Sequence, residues 1–140
     1  MAANNLSSLS VGLMVLEMLS NDARVSSMAT KVFPVVSEEG TALPYICYRQ
    51  SDLKAAPVKR EAGPDVIGVD VMCFAATYEG AVTLAEAVRA AMEGVEYTYR
   101  SEDGKLKARS IILTDAEDSW DGGAYAKSLS FEIKVNSIEQ

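Results

Sequence analysis

The sharpest alternation of apolar and polar side chains lies near the end of the chain. Leu129, Phe131, Ile133 and Val135 alternate with Ser128, Ser130, Glu132 and Lys134. A period of two is the pleat of a strand with one face in a core and the other in water, so 125–135 is predicted as a strand. The stretch 66–75 has the same period. Ile67, Val69, Val71 and Cys73 form one wholly apolar face, which should point at helices, and Val66, Gly68, Asp70, Met72 and Phe74 form the other. Directly after it the period changes. Ala81, Leu84, Ala85, Val88, Ala91 and Met92 recur at helical spacing, with Glu86, Arg89 and Glu93 largely outside that stripe. This predicts a helix over 78–93. Thr77 supplies the N-cap, Glu79 complements the helix dipole, and Gly94 provides a left-handed stop.

The remaining pattern is read the same way. Leu9, Val11, Leu13, Met14, Val15, Leu16, Met18 and Leu19 make a broad apolar surface on a helix over 8–20, capped by Ser7 or Ser8, with Glu17 as its only charge. Such a helix is expected to be mostly covered, by its own sheet or by a neighbouring subunit. Asn21 and Asp22 end it and open a short helical turn through Met28. A short strand follows over 31–36. Pro34 lacks an amide hydrogen, which places that strand at an edge. A polar loop spans 37–43, and Pro44 leads into an aromatic-rich strand over 45–49. The segment 51–65, with two prolines, a glycine and mixed charge, predicts a long mobile loop. Strands over 96–100 and 107–114 flank a hairpin turn at 102–105 with Asp-Gly at its centre. A second polar loop is expected over 115–123. Together these elements predict one domain over 1–140 of the α+β class. Its antiparallel or mixed sheet carries the N-terminal helix and a second helix, about 78–93, on one face.

Composition narrows the chemistry more than it identifies it. Of 140 residues, 49% are hydrophobic and 24% charged, an ordinary balance for a globular chain. No apolar run reaches the ~20 residues of a membrane span. The start of the chain has no basic region ahead of its apolar part, which points to the cytoplasm of the producing cell. Net charge is −7, against direct binding to a phosphate backbone. It suits solubility first, and second an acidic surface past which DNA slides. Histidine is absent, which removes Ser-His-Asp triads, Cys-His pairs and histidine metal ligands together. Cys47 and Cys73 sit in apolar strand patterns and read as buried free thiols, joined only if their strands are neighbours. Asp115, Glu117, Asp118 and Asp121 form the densest acidic cluster. It lacks the order of an EF-hand loop, so a solvated loop comes first and weak magnesium or calcium binding at a subunit contact second. Gly122-Gly123 precedes a strand and cannot cradle a phosphate at a helix N-terminus. Neither a catalytic set nor a cofactor is expected.

Residues for a binding surface are easier to nominate. Trp120, the lone tryptophan, reads first as a cap on the core's edge and second as an interface anchor, with Asp121 beside it. Lys54, Lys59, Arg60 and Glu61 in the long loop are placed for ion pairs between subunits, each of which contributes little alone.

The order of elements carries a resemblance. VFPVV, then LPYICY, the charged loop, GVDVMCFAATYEGAVTLAEAVRAAMEG and the closing YAKSLSFEIKV resemble the tail-completion and tail-terminator proteins of long-tailed bacteriophages over nearly the whole chain. The most specific pieces are Leu43-Pro44-Tyr45 and Thr77-Tyr78 opening the helix of Ala81, Leu84, Ala85, Val88, Arg89 and Met92. The resemblance implies a small α+β subunit that assembles as a ring, of six copies, on the head-proximal end of the tail tube. There it would stop tube growth and meet the head-side connector. The implied partners are a second copy of this chain, the tube protein and the connector, with neither sequence-specific nucleic acid nor membrane. It transfers no catalytic residue. A neck or connector component is the first alternative and a ferredoxin-like small-molecule-binding domain the second.

Overall fold

A computed structural model describes residues 6–54 and 64–138 of the chain. A turn of 3-10 helix, Ser8–Ser10, leads into α1 (Val11–Asn21) and α2 (Ala23–Met28). There follow β1 (Val32–Pro34), β2 (Tyr45–Lys54), β3 (Asp65–Ala75), α3 (Tyr78–Met92), β4 (Tyr97–Ser101), β5 (Gly104–Asp121) and β6 (Ala124–Ile138). The six strands form one sheet in the order β1-β2-β3-β6-β5-β4. All neighbours are antiparallel except β1, which runs parallel to β2, so the sheet is mixed.

The helices pack on one face, as the alternation in β3 and β6 requires. Ile67, Val69, Val71 and Cys73 meet Leu129, Phe131, Ile133 and Val135 in a single core with Leu84, Val88 and Met92 of α3 and Met14, Val15 and Leu19 of α1. Thr77 caps α3 by accepting from the Gly80 amide at 3.0 Å. Gly94 stops it with φ of +78°, and its amide donates to the Ile111 carbonyl at 2.9 Å. Both caps therefore fall where expected. Ser7 caps the first turn by accepting from Leu9. Tyr48 reaches from β2 to donate to the Gly12 carbonyl of α1 at 2.7 Å. Tyr97 of β4 donates to the Glu17 carboxylate, which gives the one charge of α1 a partner. Burial, and then that bond, pushes Tyr97 up to about 12.

Four expectations change. The strand at 31–36 shrinks to Val32–Pro34, because Val35 adopts φ of +67° and leaves the sheet. Pro34 does sit on an edge strand. The long loop is shorter than expected, since β2 continues to Lys54 past a bulge between Gln50 and Asp52, and β3 begins at Asp65. Its central part lies outside the described residues. The largest correction concerns 115–123, which is not a loop. β5 runs on to Asp121 in register with β6, and Gly122 and Gly123, with φ of +59° and +92°, make a two-residue turn. Positive φ at both central positions is the geometry whose twist matches paired strands. The other hairpin turns at Glu102-Asp103, one residue earlier than expected.

The two cysteines lie on neighbouring strands, yet both are free. Cys73 faces Ile46, and Cys47 faces Met72 one position along, so the thiols point to opposite sides of the sheet. Cys47 donates to the Val35 carbonyl at 3.2 Å. Burial pushes the Cys73 thiol up to about 12, which leaves it inert.

Candidate assembly surface

The β5–β6 hairpin outruns the helical layer. From Thr114 to Trp120 every residue of β5 is exposed, whereas β6 remains half-buried or buried over most of the same length. The acidic residues split between its faces. Asp118 turns to the side of α3, and Asp115 and Glu117 lie on the other face by strand alternation. Among the described residues no group of three or more potential ligands converges as a metal site would require.

Asp118 fixes the hairpin's position. One carboxylate oxygen takes Lys127 at 2.7 Å, and the other accepts from the Tyr78 hydroxyl at 2.8 Å. Lys127 first, and then Tyr78, hold the Asp118 carboxyl below its ordinary range. The same contact raises Lys127 and Tyr78. Tyr78 also packs edge-on against Tyr125, with ring centroids 6.0 Å apart. Because Tyr78 opens α3, the hairpin tip is tied to the start of that helix. Trp120 stands directly opposite Tyr125 across the hairpin, on the same side. It is 62% exposed, so it does not cap the core. Trp120, Tyr78 and Tyr125 form an exposed aromatic patch held on rigid elements.

The other nominated residues fare differently. Asp121 is the last residue of β5, next to the patch, and Lys54 ends β2. Lys59, Arg60 and Glu61 lie outside the described residues. Tyr78, Tyr125 and Lys127 were not nominated. Their contribution depends on cross-strand register and on a contact 40 residues apart in sequence, which no local pattern carries.

A second feature is backbone rather than side chain. β4 pairs with β5 only from Gly104 to Ala108. Beyond it the outer edge of β5 meets the end of α3. Gly94 donates to the Ile111 carbonyl, and the Leu113 amide donates to the Glu93 carboxylate at 3.1 Å. Glu93 is positioned by Arg89 at 2.6 Å, and that bond, with the Leu113 amide second, holds its carboxyl below the ordinary range. Past Leu113 a bulge intervenes, and no described strand covers the edge. Between α3 and the hairpin runs a groove of about 290 Å³ floored by Ala85, Leu113, Ala116 and Leu129 and rimmed by Arg89 and Lys127. The opposite face of the sheet carries a polar hollow of about 240 Å³, where Ser130 donates to Asp70 at 2.9 Å beside Asp52 and Glu132.

Comparison with known proteins bears on what such a surface is for. Among curated proteins none matches the chain. A solved structure described as the virion of a native gene transfer agent particle is similar in fold, with a TM-score of 0.65 and 21% identity. The likeness covers 90% of this chain and 92% of that one. The family described as Tail completion protein gp17 matches residues 14–135, from within α1 to the core end of β6. That span takes in the hairpin and all of the core but its first residues, Leu6 and Val11, and the chain belongs to this family of structural tail proteins.

Proposed function

We propose that the chain acts by binding rather than by catalysis: it assembles as a ring, of six copies, on the head-proximal end of a tail tube. The ring ends tube growth and presents a second surface to the head-side connector. The observation that carries this reading is the hairpin tip. An aromatic patch of Tyr78, Trp120 and Tyr125 is exposed in the single chain, yet pinned to α3 by Asp118, one of whose oxygens accepts from Tyr78 while the other takes Lys127 of β6. Exposed aromatic side chains fixed on rigid elements are what an interface anchor requires, because little entropy is lost when they are covered. Membership of the tail completion family supplies the setting. A heterologous contact between identical subunits closes into a ring when the rotation permits, and an existing tube end would template that closure.

The test is to polymerise the tail-tube protein with and without this chain and to measure tube lengths by electron microscopy. Capped tubes of limited length are expected, with this chain at one end only. Tubes that grow as long in its presence as in its absence would refute the reading.

A further inference from the structure

The sheet has two bare edges, and their placement points to one partner. On one side β1 pairs with β2 only as far as Tyr48, which leaves Arg49–Lys54 without a neighbour among the described strands. On the other side β5 is bare from Thr114 to Asp121. Arg49 lies opposite Asp70, Asp70 opposite Ser130, and Ser130 opposite Asp115. The two bare runs therefore begin at one level of the sheet and extend in opposite directions along the strands. Each edge is a step: β1 fills the lower half of one, and β4 fills the upper half of the other. β2 and β5 also run in opposite directions, so the two steps are complementary as an antiparallel pair.

We infer that the bare run of β5 in one copy pairs, as an added strand, with the bare run of β2 in the next copy. The inference rests on the ring reading above and names its contact. Three observations support a second copy as the occupant. The first is geometric. Bringing the runs level needs a stagger of about five residues, roughly 17 Å, across four strands that span about 19 Å. Those lengths tilt the strands by about 40° from the ring axis, within the roughly 35–45° at which sheets close on themselves. The second is charge. Asp115, Glu117, Asp118 and Asp121 put four carboxylates and no cation on the β5 run, whereas the β2 run has Arg49 and Lys54 against Asp52. Two β5 runs brought together by a two-fold axis would stack carboxylate on carboxylate. Pairing with β2 avoids this, so head-to-tail closure is favoured over a closed dimer. The third is apolar. The stagger carries the hairpin tip of one copy to the end of β1 in the next, where Val35 and Val36 are 65% and 71% exposed.

The test uses two full-length single variants, Glu117→Cys on β5 and Asp52→Cys on β2, both at exposed positions. Each is oxidised alone and then in equimolar mixture, once at high protein concentration and once on capped tubes. A disulfide dimer confined to the mixture is expected, and it should weaken at least tenfold in yield at high salt. A dimer from Glu117→Cys alone, or none in the mixture, overturns the pairing; Arg49→Cys, on the same face one pleat away across the bulge, against Glu117→Cys guards against a register error of one pleat. If tubes are capped while neither mixture cross-links, the pairing falls and the capping reading stands. If the mixture cross-links while tubes grow unchecked, the reverse holds.

Discussion

Replacing Trp120 by alanine separates folding from assembly, because the indole is mostly in water in the single chain. At 62% exposure, and with roughly 250 Å² for the whole side chain, about 150 Å² remain to be covered. At about 25 cal/mol per Å² complete covering contributes at most about 4 kcal/mol. Ordering costs and incomplete burial reduce this to about 2–3 kcal/mol, a 30- to 150-fold change in association. Within the chain Trp120 is paired in register with Tyr125 across the hairpin, and a cross-strand pair contributes about 0.2–1 kcal/mol. Trp120→Ala should therefore lower the melting temperature by only a few degrees while weakening ring formation by one to two decades. The assay is built in, because Trp120 is the only tryptophan. Its emission should be that of a solvated indole in the dilute chain and should shift to the blue as concentration rises or as tube ends are added. An emission maximum unmoved by assembly, or a Trp120→Ala chain that caps tubes at wild-type concentrations, would refute the argument.

Other expectations concern the scaffold. Leu84 is fully buried on the α3 stripe, so Leu84→Ala should cost about 3 kcal/mol and lower the melting temperature by roughly 10 °C in differential scanning fluorimetry. Gly123 holds φ of +92°, which a β-branched residue resists. Gly123→Val should cost about 1–3 kcal/mol and remove capping, whereas a variant as stable as the parent would show that the two-residue turn is not tight. Tyr48 and Tyr97 are both pushed up to about 12 from an ordinary 10.0, chiefly by burial. Their neutral forms are favoured in the fold, so their contribution is intact below pH 10 and is lost as pH rises from 10 to about 12. Denaturant titrations across that window should show the loss, and Tyr97→Phe should make it shallower.

The core could be read from the sequence because one face of each central element is dry. Ile67 to Cys73 and Leu129 to Val135 announce period two, Ala81 to Met92 announces period 3.6, and Thr77 and Gly94 mark the ends between them. The run from Asp115 to Asp121 could not be read, because both of its faces are wet past the reach of α3. Without a buried face, hydrophobic alternation disappears and a strand looks like a polar loop. The turn signal was present at Gly122-Gly123, but a turn says nothing about how far its strands extend. The site follows the same logic. Trp120 stands out by type, but its placement depends on Tyr125 across the turn. The clamp on Asp118 depends on Tyr78, which only the folded register brings within reach.

The acidity of β5 reconciles two demands that conflict in any subunit with an open sheet edge. A bare run of amides and carbonyls invites pairing with any chain that offers the same, which leads to aggregation. A subunit that must join others cannot cover that edge permanently. α3 covers it through Leu113 with the Gly94 amide and the Glu93 carboxylate, and the rest carries carboxylates. Mutual repulsion between such edges falls off over about 8 Å at physiological salt, so it acts at the approach of two like runs and little elsewhere. Of the carboxylates on this run only Asp118 finds a cation, Lys127, among the described residues, and in the pairing proposed above the others meet the cations of β2. That pair serves to fix the hairpin. Asp115 and Glu117 stay exposed on the opposite face, so under the proposed pairing the charge that would hold like edges apart is also the charge left for a neighbouring β2 edge to match.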